Sequence, residues 1–221
     1  MKIAVTNLKG GVGKTTIATN LAAAFTQRGR TVCIVDTDLK QRSAMEWAGS
    51  RGPERTHISV FGVSDKQLNQ EVEQLKNKFD LVIIDGVPQL SEVAERTIIA
   101  SDVILIPISP SIYDFRAFES FLEKLEQVNE NRVAYGIGKV KSFVVMNRVN
   151  ERANLGREIL AAVEDYDIPI LSTKIVNRTA YADTATGGLG VVEGKDKKAA
   201  AEFNSFTDEI ENIIKNFNQA S

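Results

Sequence analysis

Residues 9–16 read KGGVGKTT, so three glycines, two lysines and two hydroxyls fall within eight consecutive positions. Gly10, Gly11 and Gly13 let the backbone wrap an anion without Cβ clashes, and the N–H groups of the stretch, Val12 included, can then point inward. The N-terminus of the helix that follows adds favourable potential at the same spot. Lys14 is placed to reach the β- and γ-phosphates of a nucleoside triphosphate, the Thr15 hydroxyl to ligate Mg²⁺, and Thr16 to donate to the α-phosphate. A glycine-rich turn that merely ends in Lys-Thr is the alternative. The setting argues against it, because an apolar strand ends at Thr6 and a helical pattern opens at Thr15.

Three more places carry polar groups at the end of an apolar run. Asp36 and Asp38 follow the second run, and carboxylates at a strand's C-terminal edge stand where α/β folds place ligands. Either of them could instead cap the next turn. Leu81-Val82-Ile83-Ile84-Asp85 is four apolar residues and then an acid, the pattern of a strand whose last carboxylate holds the Mg²⁺ shell. Phe143-Val144-Val145-Met146 ends in Asn147 and Arg148, and the amide of Asn147 offers both a donor and an acceptor, or serves as a turn former.

Positioning these groups takes strands that end side by side. Short apolar runs at 2–6, 31–36, 59–61, 80–85, 103–108, 141–147 and 170–172 read as strands. Amphipathic stretches lie between them at 15–27, 42–49, 65–78, 92–100, 117–129 and 155–164, and a final helix is expected over 197–217. The alternation implies an α/β fold with a mostly parallel twisted sheet and helices on both faces. No repeat or Pro/Gly linker interrupts it, so residues 1–221 are expected to form one domain with the last helix packed on it.

Composition narrows the function classes. The net charge is −2, so an anionic partner must be met by a local patch and not by the overall field. Cys33 is the sole cysteine, which removes disulfides and cysteine-rich metal sites and suits a reducing cytoplasm. Cys33 inside an apolar run reads as a core thiol, and the lone His57 as a surface or strand-edge residue. No apolar run approaches the roughly 20 residues of a membrane span, and the start of the chain lacks a signal-peptide pattern.

The loop is not an ordinary G-x-x-x-x-G-K-[ST] motif, because Leu8 takes the first glycine's place and a second lysine, Lys9, follows it. Here the sequence resembles the ParA/MinD family of deviant Walker A ATPases, whose signature is K-G-G-x-G-K-[ST]. The resemblance spans residue 1 to about residue 190. It is supported by the Asp36–Gln41 segment, with Leu39 in place of the family's proline, by Asp85-Gly86-Val87-Pro88, by Pro107–Asp114 and by the Asn147-Arg148 pair. It implies a P-loop NTPase fold and a slow Mg-ATPase. Lys9 would cross a dimer interface to the partner's nucleotide, Asp38 would position the attacking water, and Asn147 with Arg148 would lie against adenine. The start of the first strand at residue 2 matches the short partition ATPases, not those with an N-terminal DNA-binding domain.

What the resemblance implies beyond ATP is a cytoplasmic positioning or segregation ATPase. An ATP-dependent homodimer would bind nonspecific DNA and so associate with the nucleoid. A ParB-like adaptor would stimulate hydrolysis and release. Candidate DNA contacts are Arg152, Arg157, Lys174, Arg178, Lys195, Lys197, Lys198 and Lys215. The alternative is a MinD-like membrane-surface switch, for which Phe203, Phe206, Ile210, Ile213, Ile214 and Phe217 form an apolar helical stripe. Its polar face carries Asp208, Glu209 and Glu211 against Lys215, so anionic lipid would repel it, and docking of the stripe on the domain is expected instead.

Overall fold

The computed structural model describes residues 1–89, 91–150 and 155–219. Six strands form one sheet in the order β3-β2-β4-β1-β5-β6: β1 Lys2–Val5, β2 Val32–Asp36, β3 Ser59–Gly62, β4 Leu81–Asp85, β5 Val103–Ile108 and β6 Lys141–Met146. Every pairing is parallel. The strands read as unbroken apolar runs because both faces are covered. Ile3, Val5, Ile34, Ile83 and Leu105 pack into one core, and Ala4, Val35, Val82, Ile84 and Ile104 into the other.

The first core is closed by α1 (Lys14–Gln27), α2 (Ser43–Gly49), α7 (Ala180–Ala185) and α8 (Lys197–Gln219). The second is closed by α3 (Leu68–Lys76), α4 (Glu92–Ala100), α5 (Ile112–Ala134) and α6 (Leu155–Glu164). Small residues Ala18, Ala22, Ala23 and Ala24 let α1 sit tightly between the sheet and α8, which is why it is buried nearly all round. Phe203, Phe206, Ile210 and Ile214 of α8 are buried, and Ile213 and Phe217 pack against the same core. The apolar stripe is thus consumed by the fold. No helix among the described residues is long and apolar enough to cross a membrane.

Three expectations need correction. The run at 170–172 is not a strand; Ile170 makes a single bridge to Val144. The Ser172 and Thr173 N–H groups donate instead to the Glu209 carboxylate of α8, which ends the ladder. The helix expected over 117–129 is α5, longer at both ends, since Ser111 caps it at Tyr113 and no Gly or Pro interrupts it before Gly136. The one expected over 65–78 opens as a 3₁₀ turn before α3 begins at Leu68. Helix α7 was not expected, being too short for its period to register.

Candidate functional site

The parallel register brings Val5, Asp36 and Asp85 level at the C-terminal edge of the sheet, so the loops after β1, β2 and β4 share one cleft. Gly10, Gly11, Gly13, Lys14, Thr15, Thr16, Asp36, Asp38, Asp85 and Arg148 are among its lining residues, around a volume of about 200 Å³. The structure therefore gathers the loop, both acidic motifs and Arg148 into one place.

Within the loop, Gly13 holds φ at 96°, and a Cβ there would collide with the Asn147 side-chain amide. Only glycine suits that combination. Asn7, fully buried, donates to the Pro107 carbonyl at 2.7 Å and fastens the start of the loop to β5. Lys14 is buried, and its ammonium donates to the Lys9 carbonyl at 2.7 Å. Burial lowers the Lys14 pKa to about 8, against the pull of Asp85 and Asp38.

Thr15 donates its hydroxyl to Asp85 Oδ2 at 2.6 Å. The other oxygen of Asp85, Oδ1, is buried with no hydrogen-bond partner among the described residues. Burial pushes the Asp85 carboxyl up to about 7, partly offset by the Thr15 bond and reinforced by the nearby Asp36 charge. A buried, unsatisfied carboxylate oxygen is costly unless something occupies it. With a hydroxyl beside it, the oxygen-only donor set fits a hard cation such as Mg²⁺.

The two aspartates after β2 divide their roles. Asp36 is buried, accepts from the Ala44 and Met45 N–H groups at the start of α2, and accepts from the Asp38 N–H at 3.1 Å. It caps the start of α2, and its pKa is raised by burial in spite of those bonds. Asp38 is half-buried at the cleft mouth, where its Oδ1 accepts from the Lys40 and Gln41 N–H groups at 3.3 and 3.2 Å. Leu39, in place of the proline, is 38% exposed beside it.

Asn147 and Arg148 do more than the sequence suggested. The Asn147 amide donates to the Val12 carbonyl at 2.7 Å and Arg148 Nη1 to the Gly11 carbonyl at 2.5 Å. Both also line a second cleft of about 440 Å³ with Thr16, Arg178 and Tyr181. Asn20 is another residue the sequence did not single out. It donates to the Thr16 carbonyl and accepts from the Val191 N–H, tying α1 to the segment before α8. Its mid-helix place among alanines carried no motif signal.

The candidate DNA contacts are not brought into one patch. Lys174, Lys195, Lys197, Lys198 and Lys215 are exposed, but Lys198 and Lys215 stand roughly 26 Å apart along α8 at 1.5 Å per residue. Exposed Arg157 lies on α6, across the sheet from α8. Arg178 is paired with Glu202 at 3.3 Å. Arg152 lies outside the described residues. Cys33 is fully buried and burial pushes its thiol up to about 12, as a core thiol requires.

The model of the CobQ/CobB/MinD/ParA nucleotide-binding domain matches residues 3–191. The maintenance of carboxysome distribution protein A of Halothiobacillus neapolitanus is 30% identical over 213 residues, covering 94% of this chain and 95% of that protein. Among solved structures, apo McdA from Cyanothece superposes with a TM-score of 0.78 at 17% identity, covering 95% of this chain and 98% of the other. The septum site-determining protein MinD of Pyrococcus horikoshii, complexed with Mg-ADP, gives a TM-score of 0.74 at 20% identity and 98% coverage of both.

Proposed function

The chain belongs to the CobQ/CobB/MinD/ParA nucleotide-binding family, and from that premise we propose that it is an ATP-hydrolysing positioning protein of the short ParA kind. The observation that carries this reading is the Thr15–Asp85 pair. It leaves one buried carboxylate oxygen unsatisfied directly beside a glycine loop with Lys14 at its head.

When bound, Mg-ATP supplies the scissile phosphoryl group and a cation that spreads its charge. The chain's own residues do the rest. Gly10, Gly11, Val12 and Gly13 present N–H groups to the phosphates, Lys14 neutralises the β- and γ-phosphates, and Thr16 donates to the α-phosphate. Thr15 and Asp85 would hold Mg²⁺. Asp38 orients the attacking water, and its half-buried place at the cleft mouth suits that work. Lys9 would enter the partner's site in a homodimer and offset the charge of two facing triphosphates.

Residues 1–221 act as one unit in this reading. ATP closes the dimer, the dimer binds DNA without sequence preference, and a ParB-like adaptor triggers hydrolysis and release. The relative from Halothiobacillus is named for carboxysome distribution, which supports a protein assembly as cargo over a plasmid. A MinD-like membrane switch is less well supported, since α8 spends its apolar stripe on the core.

The test is Mg-ATP binding and turnover by the purified chain and two variants. Lys14→Ala is expected to lose nucleotide binding, and Asp38→Ala to bind ATP with almost no turnover. Wild-type turnover by Asp38→Ala would remove the water-positioning role.

A further inference from the structure

The second cleft adjoins the phosphate loop through Thr16, with Asn147 and Arg148 on one side and residues 176–185 on the other. In the proposed function it is the space open to the base of the nucleotide. The wall from Val176 to Tyr181 is not part of a regular strand. Its inner edge is held by bonds between Val149 and the Ile175 and Asn177 backbone. Its outer edge hangs on one carboxylate of α8.

That carboxylate is Glu202. Its Oε1 accepts from the Val176 N–H and from the Tyr181 hydroxyl, both at 3.1 Å, and its Oε2 pairs with Arg178 Nη2 at 3.3 Å. Three of the residues that line the cleft thus meet on a side chain only 12% exposed. In so dry a place each bond is stronger than it would be at the surface. Arg178, held by one end of its guanidinium, keeps its Nε buried without a hydrogen-bond partner among the described residues.

We infer that Glu202 is a positioning residue of the nucleotide site: it fixes the Val176–Tyr181 wall against α8 and thereby sets how tightly and how selectively a purine base is held. This rests on the nucleotide-binding reading above. Glu209, two turns along α8, provides an internal control. It also accepts two backbone N–H groups, from Ser172 and Thr173, but those residues do not line the cleft.

The experiment titrates the full-length chain with fluorescent ATP in Mg²⁺ buffer and competes it with unlabelled ATP and GTP, following thermal melting in parallel. Glu202→Ala is expected to bind ATP about tenfold more weakly and to lose most of its ATP-over-GTP preference, a loss of about two hydrogen bonds' worth of organisation. Glu202→Gln should stay within about threefold of the wild type, because both neutral donors converge on the oxygen that glutamine retains. Glu209→Ala should stay within about twofold in affinity and unchanged in preference, even where it melts earlier. Should Glu202→Ala fold poorly, Tyr181→Phe removes one contact while keeping the ring, and a loss of about threefold is expected. Equal behaviour of Glu202→Ala and Glu209→Ala, with tight binding by the wild type, overturns the inference alone. A wild-type chain that binds no ATP overturns the nucleotide reading and the inference with it.

Discussion

Asn147 donates its side-chain amide to the Val12 carbonyl at 2.7 Å, from the far side of β5 and out of a turn that follows β6. The C=O and N–H of a trans peptide point in opposite directions, so pinning the carbonyls of Gly11 and Val12 from outside fixes the neighbouring N–H groups on the inner side. The phosphate loop is therefore preorganised by a residue far from it in sequence. Preorganisation matters because donors that need no rearrangement lose less on binding.

Asn147→Ala removes this clamp and leaves the Val12 carbonyl without its partner. ATP affinity should fall about tenfold while the overall fold persists, since one hydrogen bond to a loop is at stake. Titration with a fluorescent nucleotide checks it. An affinity equal to that of the wild type would mean that the loop holds its shape through Gly13 and Arg148 alone.

Dimerisation should depend on Lys9. Two triphosphates facing each other repel unless cations stand between them, and Lys9 from each protomer is the proposed pair. In an Asp38→Ala background with ATP, light scattering should report a dimer, and adding Lys9→Ala should return it to monomer. A dimer that survives the second change would assign the crossing charge to another residue.

The phosphate loop, the carboxylate ending β4 and the parallel sheet were legible in the sequence because each rests on local pattern: glycine spacing, or an apolar run closed by an acid. Asp36 and Asp38 looked alike on the same grounds. The resemblance singled out Asp38, and in the fold burial and the bonds to Ala44 and Met45 set Asp36 under α2 while Asp38 stays half-buried at the cleft mouth. The bond of Asn147 to the phosphate loop and the contacts of Asn20 and Glu202 were illegible, because each depends on a partner brought close by the fold and not by the chain. The end of the ladder at 170–172 was hidden for the same reason, as Glu209 lies 36 or more positions away.

Arg51 and Glu193 form a nearly buried ion pair at 2.8 Å, with both side chains 5% exposed, and it staples the segment after α2 to the segment before α8. Burial pushes the Glu193 carboxyl up, but Arg51 and the Gly190 N–H outweigh it and hold the group below the usual range. A depressed carboxylate stabilises the fold fully above its unfolded value, near 4.3, and the contribution fades as pH falls through the lower folded value. Glu193→Ala should thus cost about 3 kcal/mol at pH 7, since it strands the buried Arg51 charge. Urea unfolding of wild type and variant should show the deficit unchanged between pH 8 and 6 and shrinking in acid below the unfolded value. A deficit that grows on acidification would contradict the pairing.

In the proposed function DNA binding should be a property of the dimer. The chain carries a net charge of −2, and among the candidate lysines Lys195, Lys197 and Lys198 stand at the start of α8 while Lys215 stands near its end. No single group offers the six or so phosphate contacts that hold typical nonspecific complexes at physiological salt. Doubling the groups across a two-fold axis is the available remedy. Lys195, Lys197 and Lys198 are the best placed, because they are exposed around the start of α8, where Asp196 is occupied with capping the helix. Asp38→Ala with ATP should therefore bind unrelated duplexes alike, and the same protein without ATP should not. The log of the affinity should fall linearly with the log of salt, at close to one unit of slope per phosphate contacted. Replacing the three lysines together should lower that slope by about three per protomer engaged and leave ATP affinity untouched. Anisotropy titrations across a salt series measure both quantities. A slope that the triple variant does not change would move the DNA surface elsewhere, and an absence of ATP-dependent binding at low salt would point to a protein or membrane matrix in its place.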